Sequence, residues 1–232
     1  EIACKAVNKP GQDYLPLDVY LAKDIMKAVY LAALYSEDMQ LGLDIKTLVS
    51  IGENDDVEQI IVAVPMLPCD EDEGKMYVRS LVEGVLVENG KKCDNIIING
   101  TGAYVVHSSV GDAGVVGRKL AVDFYGLNCP IGGGSPWGKD ATKSDVTLNL
   151  AARYFSLKTL LEGKGKYDKV FTKISCCIGM NECLLVQTDE NGAIIKKENI
   201  VLSPSEYIAK FGLDGSMNDF MFFSLNNHGL FK

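Results

Sequence analysis

Glycines and basic residues crowd into one stretch of this chain, from Gly111 to Asp145, and little regular structure can run through it. Gly111, Gly114 and Gly117 lead directly into Arg118-Lys119, and Gly132-Gly133-Gly134 and Gly138 lead into Lys139 and Lys143. Glycine costs a helix or strand interior about 0.5–1 kcal/mol relative to alanine. The stretch is therefore predicted to be mostly loop, with ordered elements gathered on either side and a soft boundary near residues 100–110.

Those elements can be read from hydrophobic period. Ile2 to Val7 reads as a strand, and apolar spacing at Leu21, Ile25, Val29 and Ala32/Ala33 as a helix over about 17–35. The β-branched runs Lys46–Gly52 and Val57–Val64 flank Glu53-Asn54-Asp55-Asp56 and read as a hairpin. Val78, Leu81, Val82 and Val85 mark a second helix, opened by the acidic run Asp70 to Glu73 and ended near Asn89-Gly90. Strands are expected at 96–98 and 103–106. After the glycine stretch, Thr142-x-x-Asp145 has the pattern of a capping box before a third helix, with Leu150, Tyr154, Leu157 and Leu161 on one face. Strands near 168–178, 183–188 and 193–195, a short helix after Ser203-Pro204 and an irregular tail complete the pattern. The fold class expected is α+β, two similar layers of mostly antiparallel sheet with helices on one face.

Composition narrows the chemistry. With 232 residues the chain is long enough for one large or two modest domains. A net charge of −8 gives no basic face for nucleic acid, and no run reaches the roughly 18–20 apolar residues of a membrane span. A cytoplasmic protein is expected. Seven cysteines, odd in number and without Cys-x-x-Cys spacing, argue against a disulfide framework or a zinc site.

Glycine lets backbone N–H groups approach phosphate oxygens closely, and Arg and Lys supply the compensating charge. Lys139 and Lys143 stand at an expected helix start, where a cation opposes the dipole unless an anion is present. The stretch is thus read as a phosphate-handling nucleotide site. Gly133 to Lys139 satisfies the first part of a P-loop, but Asp140 takes the place of the Ser or Thr whose hydroxyl binds magnesium.

The motifs Gly111-Asp112-Ala113-Gly114-x-x-Gly117-Arg118-Lys119, Val122-Asp123-x-Tyr125-Gly126, Gly132-Gly133-Gly134, Gly138-Lys139-Asp140, Thr142-Lys143-x-Asp145 and Ala152-Arg153-Tyr154, in this order, resemble the signature of the methionine adenosyltransferases, the S-adenosylmethionine synthetases. Asp44-x-Lys46, Asn99-x-Thr101-Gly102 and Ile178-Gly179-x-x-Glu182 extend the resemblance. It implies the fold of that family, with residues 1–105 as its middle domain and 106–232 as its C-terminal domain. It implies formation of S-adenosylmethionine from ATP and L-methionine, with Mg2+ and K+ assisting.

By the same resemblance, Lys119, Lys139, Arg118 and Asp112 are the expected catalytic residues. Lys46, Asp112, Arg118, Lys119, Ser135 and Lys139 are expected to meet ATP and its phosphates, and Tyr104 and Ile178 to line the adenine pocket. Asp112 and Lys143 are expected near methionine, and Asp145 near a metal. Ala103, Ile131 and Ser135-Pro136-Trp137 depart from the family's usual Arg, His and Ala-Phe-Ser. The family's N-terminal domain, with its His-Pro-Asp-Lys motif, potassium-binding Glu and Gly-Asp-Gln-Gly loop, has no counterpart in this sequence. A homo-oligomer or a companion chain carrying those motifs is therefore the expected partner; a non-catalytic regulatory relative is the alternative.

Overall fold

The structure is a computed structural model that describes residues 2–36, 39–114, 118–123, 125, 129–130, 132, 134–135 and 139–215. Gly117, Ile131, Gly133, Pro136, Trp137, Gly138 and the tail from 216 onward lie outside the described residues. In chain order the elements are β1 (Ile2–Val7), α1 (Leu17–Tyr35), β2 (Lys46–Ile51), β3 (Val57–Ala63), α2 (Glu71–Glu88), β4 (Ile96–Ile98), α3 (Ser108–Gly111), α4 (Leu120–Asp123), α5 (Ser144–Glu162), β5 (Lys169–Cys176), β6 (Glu182–Thr188), β7 (Ile194–Val201) and α6 (Pro204–Lys210). They fall into two units, 17–114 and 1–16 with 115–232.

In the unit 17–114, β2 and β3 form the hairpin that the β-branched runs predict, with Lys46 opposite Ala63. β4 runs parallel to β3, Ile60 opposite Ile96. Parallel neighbours need a long crossover, and α2 supplies it. Helix α1 buries Leu21, Ile25 and Val29, and α2 buries Val78, Val82, Val85 and Leu86. Ile25 and Val29 of α1 and the α2 stripe meet Ile60, Val62, Ile96 and Ile98 in one core, where each large aliphatic side chain contributes about 1.5–3 kcal/mol by leaving water. Glu71, Asp72 and Glu73 lie in the first turn of α2, where the dipole favours them. Gly90, at φ 63°, ends the helix. The amides of Gly90 and Lys91 return to the carbonyls of Val87 and Leu86, a Schellman closure that needs the left-handed glycine.

Asn99 ends β4. Its buried side-chain amide grips the backbone of Val64 from both sides, accepting from the Val64 N–H at 2.9 Å and donating to the Val64 carbonyl at 2.8 Å. The expected strand at 103–106 does not form. After the left-handed Asn99 (φ 46°) the chain turns through Gly102, leaving one backbone bond, from the Met66 N–H to the Tyr104 carbonyl.

In the other unit, β1 joins β5, β6 and β7 in an antiparallel sheet ordered β1-β5-β6-β7. Ala6 lies opposite Val170. The linear division expected at 105/106 therefore differs from the contact units, because the opening strand completes the second sheet. Helix α5 covers one face of that sheet. Ala6, Val170, Leu157 and Leu160 form an apolar cluster, and Ser156 donates to Thr172 at 2.7 Å while Gln187 reaches Thr172 and the Phe155 carbonyl. Leu160 is buried and Leu161, expected inside, is 54% exposed. The buried surface of α5 is centred on Ala152, Ser156 and Leu160 instead.

Arg153 is also inside. It is 2% exposed and donates to the carbonyls of Lys5, Tyr14 and Asp13 at 3.0, 3.2 and 2.6 Å. Asp13 and Tyr14 both have positive φ, 49° and 58°. The guanidinium thus holds the turn after β1 to α5 and offsets the cost of two left-handed non-glycine residues.

Candidate functional site

In the unit 17–114, Lys46 stands at the first position of β2, and its Nζ lies 3.1 Å from Oδ2 of Asp112, just past α3. Both side chains are more than half exposed. The Asp112 carboxylate, then that of Asp44, holds the Lys46 ammonium above its ordinary pKa. Asp44 organises the surrounding loops: its carboxylate accepts from the Ser108 N–H at 3.0 Å, and its carbonyl accepts from the Tyr104 hydroxyl at 3.0 Å. Burial, then the Asp44 charge, pushes the Tyr104 phenol up. Gly42 passes so close to Pro65 and the His107 ring that an added Cβ would meet them at 2.6 and 2.8 Å. Ser108 is left-handed at φ 55°, and its Oγ lies 2.8 Å from His107 Nδ1.

Three of the expected residues, Lys46, Tyr104 and Asp112, are thus linked through Asp44. Ser108 and His107 were not legible as members of this group. They are 64 and 63 positions from Asp44, and only the β2–β3 hairpin and the turn at Asn99 bring them near.

In the other unit, Lys139 is ion-paired with Asp145 in the first turn of α5. The Asp145 carboxylate lies against Gly134, and an added Cβ there would overlap its oxygens. The third glycine of the triple is therefore a close-approach position. The expected capping box is not made. Lys143 is the N-cap residue with no side-chain cap, Asp145 turns to Lys139, and Thr142 turns to Asp140. Asp140 Oδ1 accepts from both the Thr142 N–H at 2.8 Å and its hydroxyl at 2.5 Å, which lowers the Asp140 pKa. Nor does Asp145 pair with Arg153, whose guanidinium is taken by backbone carbonyls.

Arg118 and Lys119 are exposed, immediately ahead of α4, and the Lys119 carbonyl accepts from the Val122 N–H at 3.0 Å. Ser135 is half-buried beside Gly134. Ile178 is fully exposed at the β5–β6 turn, on the rim of a recess of about 180 Å³. Thr142, Thr147, Cys176, Met180, Cys183 and Tyr207 contribute to its wall. That is smaller than the roughly 300–1,000 Å³ of ordinary small-molecule pockets.

Among the described residues, no three of His, Cys, Asp and Glu converge as a cation site. Asp145, the expected metal ligand, is already neutralised by Lys139. These residues do not by themselves fit Mg2+ or K+. No described helix is long and apolar enough to cross a membrane.

Residues 106–218 match the family model described as S-adenosylmethionine synthetase, C-terminal domain. The chain is 31% identical over 215 residues to an S-adenosylmethionine synthase of Paramagnetospirillum magneticum, covering 86% of this chain and 55% of the relative. It is 33% identical over 190 residues to that of Zymomonas mobilis, covering 78% and 48%. The chain thus spans about half the length of these relatives. A solved structure of an S-adenosylmethionine synthetase from Campylobacter jejuni, described as unusual, superposes with a TM-score of 0.80 at 27% identity, covering 94% of this chain and 62% of that one. By sequence and by fold the chain is similar to the S-adenosylmethionine synthetases, and residues 106–218 match the model of their C-terminal domain.

Proposed function

We propose that this chain supplies the middle and C-terminal domains, residues 1–105 and 106–232, of a methionine adenosyltransferase acting on ATP and L-methionine. The remaining length of the family is contributed by the same polypeptide or by a companion chain. The observation that carries the reading is Lys139, held by Asp145 beside Gly134 within the matched segment. It is a cation kept in place by a carboxylate that an incoming phosphate can displace.

In this reading the methionine sulfur attacks the 5′ carbon of ATP with its lone pair and needs no general base, only alignment and exclusion of water. Breaking the carbon–oxygen bond leaves the electron pair, and a growing negative charge, on the triphosphate. Lys139, Arg118 and Lys119 are assigned to stabilising that charge, and Lys46 is assigned to phosphate. Asp112, and Lys143 at the N-cap of α5, are assigned to methionine. Ile178 and Tyr104 are assigned to adenine. Mg2+ and K+ belong to the chemistry that the resemblance implies, where they would offset charge on the triphosphate.

A second reading, a non-catalytic relative that regulates a complete enzyme, is favoured by one observation. Lys46 and Lys139 are each paired with a carboxylate of their own unit. Each of these charges is offset by a carboxylate and needs no bound anion to compensate it. Formation of S-adenosylmethionine from ATP and methionine with Mg2+ and K+, by the chain alone and with a companion bearing the family's N-terminal motifs, separates the two. Product that disappears in Lys139→Met supports catalysis, and ATP binding without product under either condition supports regulation.

A further inference from the structure

We propose that Cys176 and Cys183 form a two-thiol redox site, which a low-molecular-weight disulfide such as oxidised glutathione converts to an intrachain bridge across the β5–β6 hairpin.

Cys176 and Cys183 are direct partners in the last pair of the antiparallel β5–β6 ladder. Directly opposed residues in such a ladder have Cα atoms about 4.5–5.5 Å apart, inside the roughly 4.4–6.8 Å span that a disulfide requires. Their side chains share a face. Val170, Thr172 and Ile174 alternate with outward residues along β5 and are buried toward α5, and Cys176 continues that parity. Cys183, Leu185 and Gln187 do the same along β6. Both thiols line the recess beneath Ile178.

They differ in access, as an attacking and a resolving thiol should. Cys176 is exposed and Cys183 is buried. Burial, with the neighbouring Cys176, pushes the Cys183 thiol up, so the first nucleophile is Cys176. Among the described residues no metal-binding group of three competes for these sulfurs.

The exchange balances in two steps. The Cys176 thiolate attacks one sulfur of the small disulfide and expels the other half as a thiolate, leaving a mixed disulfide on Cys176. Cys183 then loses its proton and attacks Sγ of Cys176, expelling the second half. Two protein thiols become one disulfide, and the small disulfide takes up the two electrons and two protons as two thiols. The bridge closes the short hairpin that carries Ile178. Any effect on adenine binding rests on the proposed function; formation of the bridge does not.

The full chain is incubated with oxidised glutathione, its remaining thiols are alkylated, and it is cleaved after Met180, which separates the two cysteines. Mass spectrometry without nucleotide is expected to find the two fragments linked, about 2 Da lighter than their separate thiol forms, and parted again by dithiothreitol. Cys177→Ser is expected to keep the link and Cys176→Ser, at an exposed position, to lose it. A link made through Cys177, or a lasting glutathione adduct on Cys176 with Cys183 still open to alkylation after unfolding, overturns the proposal.

Discussion

The Asp145 carboxylate is paired with the ammonium of Lys139 and lies directly on the backbone of Gly134. One short contact thus couples the triple-glycine loop, the following lysine and the first turn of α5. In the proposed reaction the same lysine must exchange a carboxylate for a phosphate.

Removing each partner should therefore have opposite effects. Lys139→Met is expected to weaken ATP or tripolyphosphate binding about 10-fold or more, the equivalent of roughly 1.4 kcal/mol. Asp145→Asn frees the lysine and is expected to hold or raise that affinity, with less than about 1 kcal/mol of stability lost, since the pair is partly exposed. Titration calorimetry on both variants checks this. Unchanged binding in Lys139→Met excludes the phosphate role.

Gly134→Ala inserts a methyl into the Asp145 carboxylate. The aspartate must rotate away or the loop must move, so the Lys139 pair is expected to break while the fold survives. The variant should shift triphosphate affinity in a wild-type Asp145 background and much less in Asp145→Asn, where the ion pair it disrupts is already lost. Additive effects in the double variant would show that Gly134 acts elsewhere.

The Thr142 hydroxyl and amide hold the Asp140 carboxyl below its ordinary value near 3.8. A lowered folded pKa stabilises the native loop fully above the unfolded value, and that contribution is lost as pH falls through the folded one. The loop before α5 is expected to be insensitive to pH from neutrality to about 4 and to loosen only below. Thr142→Val should raise the Asp140 pKa toward its ordinary value, read by carboxyl NMR titration. Lys46 has the opposite sign: its pKa is raised, so its contribution is complete below the ordinary 10.5 and lost only in more alkaline solution. The loss of binding in Lys46→Met should accordingly be constant from pH 6 to 9.

Arg153 donates to three backbone carbonyls from a nearly waterless position. Arg153→Met removes the buried donor from those carbonyls, of which that of Tyr14 keeps its bond from the Val7 N–H, and is expected to cost about 2–4 kcal/mol. Arg153→Lys should recover little, since a single ammonium cannot reproduce the planar fork. Urea unfolding measures the loss, and hydrogen exchange should quicken first at Tyr14 and Leu15, whose amides close the turn.

The order and type of most elements were legible because their causes are local. The apolar period of α1 and α2, the β-branched hairpin, the acidic start of α2 and the glycine after its end each act within a few residues of the chain. The glycine and lysine motifs marked a candidate segment for the same reason, since backbone access and charge are properties of residue types in order. The strand expected at 103–106 failed because the Asn99 side chain takes the Val64 backbone, a contact across 35 positions. The capping box failed because Lys139 and Asp140, just outside the pattern, compete for its two side chains.

What the sequence by itself determined is the class of fold, the family resemblance and the set of cations available for an anion. Tertiary packing alone settled that β1 completes the second sheet, that Arg153 is a buried strut, and that Lys46 and Lys139 are held by Asp112 and Asp145. Period and composition act along the chain, whereas ion pairs and close approaches depend on which distant residues the packed sheets bring within a few ångströms.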